Sequence, residues 1–202
     1  MVKKVLNAGS GPVNPERLQR TFRNGGWQEV RMDVDPRVSP DIVGSLEDLS
    51  PVADRSFDAV FCSHSLEHLH PHDVRSALRG IVRVLKPDGF ALITSPDLEP
   101  IAALVAQGRG EEIAYESPLG PITALDMIYG HAASIERGNY FMAHNTGFTD
   151  ERMARLLLEA RFDEVLLIKG NCYDFYALAL MPQADKPQIL TELRNGGLDF
   201  TE

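Results

Sequence analysis

The sequence predicts an α/β fold, a mostly parallel sheet with helices on both faces. Three observations point there. A short apolar segment, Val2 to Leu6, runs straight into a glycine turn at Gly9-Ser10-Gly11-Pro12. Segments with strand character alternate with one segment of clear helical period, the pattern of βαβ units. Proline, glycine and aspartate stand where each segment should end.

Taken in order, Val2 to Leu6 is the first buried strand, and Pro15 to Phe22 reads as a short helix or turn. Trp27 to Met32 alternates apolar and polar residues, the period of a strand, and stops at Asp33-Val34-Asp35-Pro36. Asp41 to Gly44 and Ser56 to Ser63 are the third and fourth strand candidates. Between Asp73 and Leu85 the apolar residues Val74, Ala77, Leu78, Ile81, Val82 and Leu85 form one helical stripe. Lys86-Pro87-Asp88-Gly89 ends that helix, and Phe90 to Thr94 is a fifth strand. Leu98 to Ala106 and Glu151 to Ala160 read as helices, and Glu164 to Lys169 and Phe175 to Met181 as closing strands. The stretch 108–148 reads as an elaborated loop over the site, with one helical patch near Ile122 to Ile128. Residues 1–182 are expected to form one domain, and 183–202 a polar tail with a helix at Gln188 to Arg194.

The bulk numbers narrow the function classes. A chain of 202 residues with 44% hydrophobic and 24% charged residues has the composition of a globular domain. No apolar run reaches the ~18 residues of a membrane helix, and Met1-Val2-Lys3-Lys4 shows no secretory leader, so a cytoplasmic location is expected. The net charge of −9 disfavours a phosphate backbone as partner, so no nucleic acid is expected. Cys62 and Cys172 both sit in apolar runs and read as buried thiols.

Glycine at positions 9 and 11 lets the main chain approach a nucleotide closely. An acidic residue about 20 positions onward then suits ribose hydroxyls. Asp33 and Asp35 both stand near that spacing, with Asp35 better placed. The third glycine of a dinucleotide fingerprint would fall at Asn14, which argues against an NAD-dependent oxidoreductase.

Several segments together resemble the class I S-adenosylmethionine-dependent methyltransferases. They are Val5 to Gly11, Asp33-Val34-Asp35-Pro36, the run from Ser56-Phe57-Asp58-Ala59-Val60 through Leu66-Glu67-His68-Leu69, and Arg83-Val84-Leu85-Lys86-Pro87-Asp88-Gly89 leading into Thr94-Ser95-Pro96-Asp97. The resemblance implies a Rossmann-like seven-stranded sheet whose last strand is antiparallel, and S-adenosylmethionine as cofactor. It implies that Asn7, Ala8, Gly9, Ser10 and Gly11 lie beneath the cofactor and that Asp35 takes the ribose hydroxyls. It further places the Leu46 backbone beside the adenine, and Ser63 and His64 at the methionine end. Three positions depart from the family pattern: Asn7 and Ser45 replace acids, and Val13 replaces a glycine. They motivate an alternative, a catalytically degenerate member acting as a regulatory or scaffolding protein.

For catalysis, a base near neutral pH suits methyl transfer to oxygen or nitrogen. His144, His64 and His131 are the candidates, with a small-molecule acceptor expected. His64-Ser65-Leu66-Glu67-His68 also matches a zinc-peptidase pattern, HxxEH. Pro71 cuts any helix there and no third ligand stands out, so no metal is expected. Glu67 and His68 read instead as residues that fix the local turn.

Overall fold

A computed structural model describes residues 2–201. Five strands pair in parallel: β1 (Lys3–Ala8), β2 (Trp27–Asp33), β3 (Ile42–Val43), β4 (Phe57–Ser63) and β5 (Leu85–Pro96). A separate hairpin, β6 (Ile113–Ser117) and β7 (Gly120–Thr123), precedes the closing strands β8 (Glu164–Lys169) and β9 (Asp174–Leu180). The sheet order is β3-β2-β1-β4-β5-β9-β8, and β9 is antiparallel to both neighbours. This is the expected seven-stranded sheet with its antiparallel last strand. The chain leaves β1 for β2 on one side and returns to β4 on the other. That reversal opens a crevice at the carboxyl ends of β1 and β4, where ligands of open α/β sheets bind.

Side-chain alternation along the strands feeds a core on each face. Leu6, Val60, Cys62, Ala91 and Ile93 point to one side, beneath the helices α1 (Pro71–Val84) and α5 (Asp150–Glu159). Val5, Ala59, Phe61, Phe90 and Leu92 point to the other. The predicted stripe is what α1 buries, with Val74, Ala77, Leu78 and Ile81 all 1% exposed or less. Each buried Val, Leu or Ile among them contributes roughly 1.5–3 kcal/mol by leaving water.

Several local expectations differ. Between β1 and β2 there are only two 3-10 turns, Pro15–Arg17 and Arg20–Arg23. Asn14 caps the first by accepting the Glu16 N–H. The face there is covered by α6 (Lys186–Asn195), whose Ile189 and Leu193 pack in one core with Leu18, Phe22 and Trp27. Phe200 is buried in the same core, so much of the stretch after residue 182 is structural wall. Strand β5 starts at Leu85, because Lys86-Pro87-Asp88-Gly89 ends the helix yet continues as an irregular, shifted register against β4.

The stretch 108–148 holds more order than a loop. It follows α2 (Leu98–Ala106) and contains the β6–β7 hairpin, α3 (Ala124–Tyr129) and α4 (Ala132–Glu136). The hairpin escapes a pattern reading because Pro118 in its turn and Pro121 inside β7 break the run, and it pairs only with itself. Cys62 is buried as expected, whereas Cys172 is exposed, lying in the β8–β9 connection.

Candidate active site

A cavity of about 920 Å³ occupies the crevice. Its floor is the glycine turn, Gly9 to Pro12, with Asn7 beneath. Asp33 to Asp35 at the end of β2 and Gly44 to Glu47 after β3 form one wall, and Ser63 to Ser65 at the end of β4 the other. The roof comes from the long insertion, through Leu119, Ser134, Asn139 to Ala143, and Asn145.

The turn is held by main-chain bonds. Gly9 and Ser10 both donate their N–H to Met32 O, at 2.9 and 3.0 Å. Gly9 has φ +77°, and a Cβ there would stand 2.1 Å from Ser65 Oγ. No residue but glycine fits both the conformation and the space. The two acids expected near the ribose have separate jobs. Asp33 accepts the Gly11 N–H through Oδ2 at 2.8 Å and the Asp35 N–H through Oδ1 at 2.9 Å. It braces the turn. Asp35 lines the cavity with its carboxylate paired to Arg37, at 2.8 Å from Nη2. Hydrogen bonds from Arg37 hold the Asp35 carboxyl below its ordinary pKa. Arg37 is largely exposed, so the carboxylate can exchange that partner for a diol.

Asn7 is 5% exposed and donates its side-chain amide to Glu29 Oε1 at 2.7 Å. A negative charge missing at position 7 is thus present one hydrogen bond away. Ser45 Oγ accepts the Glu47 N–H at 3.1 Å and shapes the turn before Leu46.

His64 sits at the exit of β4 with φ +48°, a conformation non-glycine residues rarely adopt. The turn aims its ring at two carboxylates, Glu67 Oε1 at 3.4 Å from Nδ1 and Asp174 Oδ2 at 3.7 Å from Nε2. Burial works against its charge, but the ring is still 46% exposed. The two carboxylates therefore prevail and push its pKa up to about 9. That shift favours the imidazolium, a hydrogen-bond donor, at neutral pH.

Among the other histidines, His131 is buried outside the cavity lining with Nδ1 2.8 Å from Ser134 Oγ. His144 also lies outside the lining, its Nδ1 2.9 Å from Met127 O. It is stacked edge-on against His68, whose ring centroid is 4.9 Å away. Desolvation keeps the His144 pKa below its ordinary value. The HxxEH spacing pairs His64 with His68, but folding instead gathers Glu67, His68 and His144. A residue nearly eighty positions away was beyond any local motif.

Residues 6–93 match the family model described as "Methyltransferase domain". That span, a little under half of the chain, carries the methyltransferase-domain pattern. Its similarity extends to a ubiquinone biosynthesis O-methyltransferase of Xanthomonas oryzae pv. oryzae, at 36% identity over 92 residues. The match takes in 46% of this chain and 36% of that protein, so the chain spans about a third of the curated relatives it matches. Among solved structures, a methyltransferase from Thermotoga maritima, described as a possible histamine N-methyltransferase, superposes with TM-score 0.57 at 14% identity. It covers 89% of this chain and 82% of that one. The 1,6-didemethyltoxoflavin-N1-methyltransferase of Burkholderia thailandensis, solved with substrate and S-adenosylhomocysteine, gives 0.54 at 18% identity, covering 89% and 71%. At such identities the likeness establishes the shared fold. The cofactor of the methyltransferase domain is S-adenosylmethionine, and the site suits it. The Gly9–Gly11 main chain and the Asp35 carboxylate both face the cavity, and the exposed Arg37 can give way at Asp35 to a diol.

Among the described residues no helix is long and apolar enough to cross a membrane.

Proposed function

We propose that this protein transfers a methyl group from S-adenosylmethionine to an oxygen or nitrogen of a small-molecule acceptor. The observation that carries this reading is the single cavity joining the glycine turn and Asp35 to the roof at Asn139–Ala143. Its volume lies within the roughly 300–1,000 Å³ of small-molecule pockets. When bound, the cofactor supplies an electrophilic methyl on sulfur. In this assignment the Gly9–Gly11 backbone seats it, Asp35 takes the ribose hydroxyls, and the Leu46 backbone flanks the adenine. Ser63 and His64 fix the methionine end. The acceptor lies under Tyr140, Phe141 and Met142, an apolar roof that suits an aromatic ring. The chain then works mainly by proximity and alignment. The names of the toxoflavin and ubiquinone-pathway methyltransferases fit a small acceptor.

Isothermal titration with S-adenosylhomocysteine tests the cofactor half of this proposal. Saturable binding that weakens in Asp35→Ala is expected; no heat at millimolar ligand would end it. The alternative of a binding-only relative rests on Asn7 and Ser45. It predicts cofactor binding with no methyl transfer to any of a panel of phenols, catechols and amines.

A further inference from the structure

Glu67, His68 and His144 meet where the turn after β4 touches the end of the long insertion. One ligand atom from each lies within 4.8 Å of the other two. Glu67 is 1% exposed, and its Oε1 is buried with no hydrogen-bond partner. His64 Nδ1, at 3.4 Å, does not complete a hydrogen bond to that oxygen. Its other oxygen meets only Ser95 Oγ, at 3.4 Å. The His64 ring faces Oε1 without closing a bond to it, so Oε1 keeps a lone pair for a better-placed partner.

The two histidines are preset as ligands. His68 Nδ1 lies 3.0 Å from Ala143 O, and His144 Nδ1 lies 2.9 Å from Met127 O. A carbonyl only accepts, so each Nδ1 carries the proton and each Nε2 carries the lone pair. An acceptor behind Nδ1 is the usual support of a metal-binding imidazole. The three residues are also tied to one another through the main chain. Glu67 O accepts the N–H groups of Asn145 and Thr146, at 2.8 and 3.1 Å, and Asn145 Nδ2 donates to His68 O at 2.7 Å. Gly130 lets the strands of this wall close, since a Cβ there would stand 1.9 Å from Met142 O.

We propose that Glu67, His68 and His144 bind one divalent transition-metal ion, with its open coordination positions facing the cavity. Two imidazoles and one carboxylate form a borderline donor set that suits zinc, cobalt, iron or manganese. Three protein ligands leave room for an exogenous oxygen, as in catalytic metal sites. His68 and Asn145 line the cavity, so that oxygen would come from water or from the acceptor. A hydroxyl bound there would lose its proton more readily than in water.

The test needs no methyl transfer. The chelator-treated 202-residue chain is titrated with Co²⁺ and Zn²⁺ and followed by calorimetry and by the cobalt visible spectrum. One ion per chain is expected, with at least a tenfold loss of affinity in His144→Gln and in Glu67→Gln. His131→Gln should bind the ion as the parent does. In the unmodified protein, nitrogen-detected histidine spectra should show Zn²⁺ shifting His68 and His144 Nε2 but not His131. Zinc that shifts no histidine, or that binds equally to the His144 and Glu67 variants, overturns the proposal. S-adenosylhomocysteine titration of the metal-free protein reports on the methyltransferase reading separately.

Discussion

Asn7 gives its side-chain amide to Glu29 Oε1 across the β1–β2 pair, at 2.7 Å. The position that carries an acid in related sites is therefore neutral here, and the charge stands one strand over. Restoring the acid alone should not help. In Asn7→Asp two carboxylates would meet at hydrogen-bond distance, and one would have to stay protonated. We expect Asn7→Asp to leave S-adenosylmethionine affinity unchanged or weaker. Asn7→Asp with Glu29→Gln should bind the positively charged cofactor about three- to tenfold tighter than the single variant, ~0.7–1.4 kcal/mol. Calorimetry on the three proteins decides it; equal affinity of single and double variants would remove Glu29 from the site.

Gly9 and Ser65 are packed so that only glycine fits. Gly9→Ala adds a left-handed strain of about 1–2 kcal/mol and a methyl that overlaps the Ser65 hydroxyl. A total loss of ~2–4 kcal/mol is expected, a fall of roughly 4–16 °C in melting temperature for a domain of this size. Gly9→Ala with Ser65→Gly should recover the steric part and leave the strain. Thermal denaturation of both variants gives the comparison, and identical melting points would mean the contact carries no energy.

Sequence pattern made the sheet legible because its signals are local. The α1 stripe and the FDAVFCS strand each settle within a dozen residues, and the glycine turn announces its own conformation. Legibility failed where the deciding contacts are distant. The 3-10 turns after Gly11 replace a helix because the residues of α6, far along the chain, cover that face. Asp33 and Asp35 look equivalent in sequence, and only the direction of the Gly11 N–H separates brace from ligand. His144 could be singled out as a polar residue before the last core helix. Its partners, Glu67 and His68, carry no local sign of it.

The division of labour between Asp33 and Asp35 predicts opposite phenotypes. Asp35→Ala removes a cavity-wall carboxylate tied only to local partners, so the fold should be nearly unchanged. S-adenosylhomocysteine binding should weaken by ~1–3 kcal/mol, the worth of hydrogen bonds to a charged acceptor. Asp33→Ala strips the Gly11 and Asp35 N–H groups of their acceptor. It should lower the melting temperature by several degrees as well as weaken binding. Were Asp35→Ala to bind normally while Asp33→Ala lost binding without loss of stability, the two roles would be exchanged.

Lys169 and Asp97 form the ion pair whose loss should be felt most in stability. Asp97 is 0% exposed, caps α2 through the Glu99 N–H, and accepts Lys169 Nζ at 2.6 Å. Lys169 also bonds Asp150 at 2.7 Å, which joins β8 to the start of α5. Lys169→Met strands a buried carboxylate. Removing one partner of a fully buried pair costs about 3–5 kcal/mol. Lys169 is half exposed, so water can reach its end of the pair and a loss of ~2–3 kcal/mol is expected. Asp97→Asn in the Lys169→Met background should return much of it, because a neutral amide tolerates burial better than an unpaired charge. The pH dependence has a definite sign. Burial opposes the charge on Lys169, yet bonds from Asp150 and Asp97 raise its pKa above the ordinary value. Its contribution is therefore complete below about pH 10 and fades as pH rises past the folded value. Asp150, held below its ordinary pKa by Lys169, loses its share only as acid carries the pH down through that lowered value. Urea denaturation of the parent and Lys169→Met proteins should thus show a constant gap between about pH 6 and pH 9. A gap that closed within that window would assign the stability to another pair.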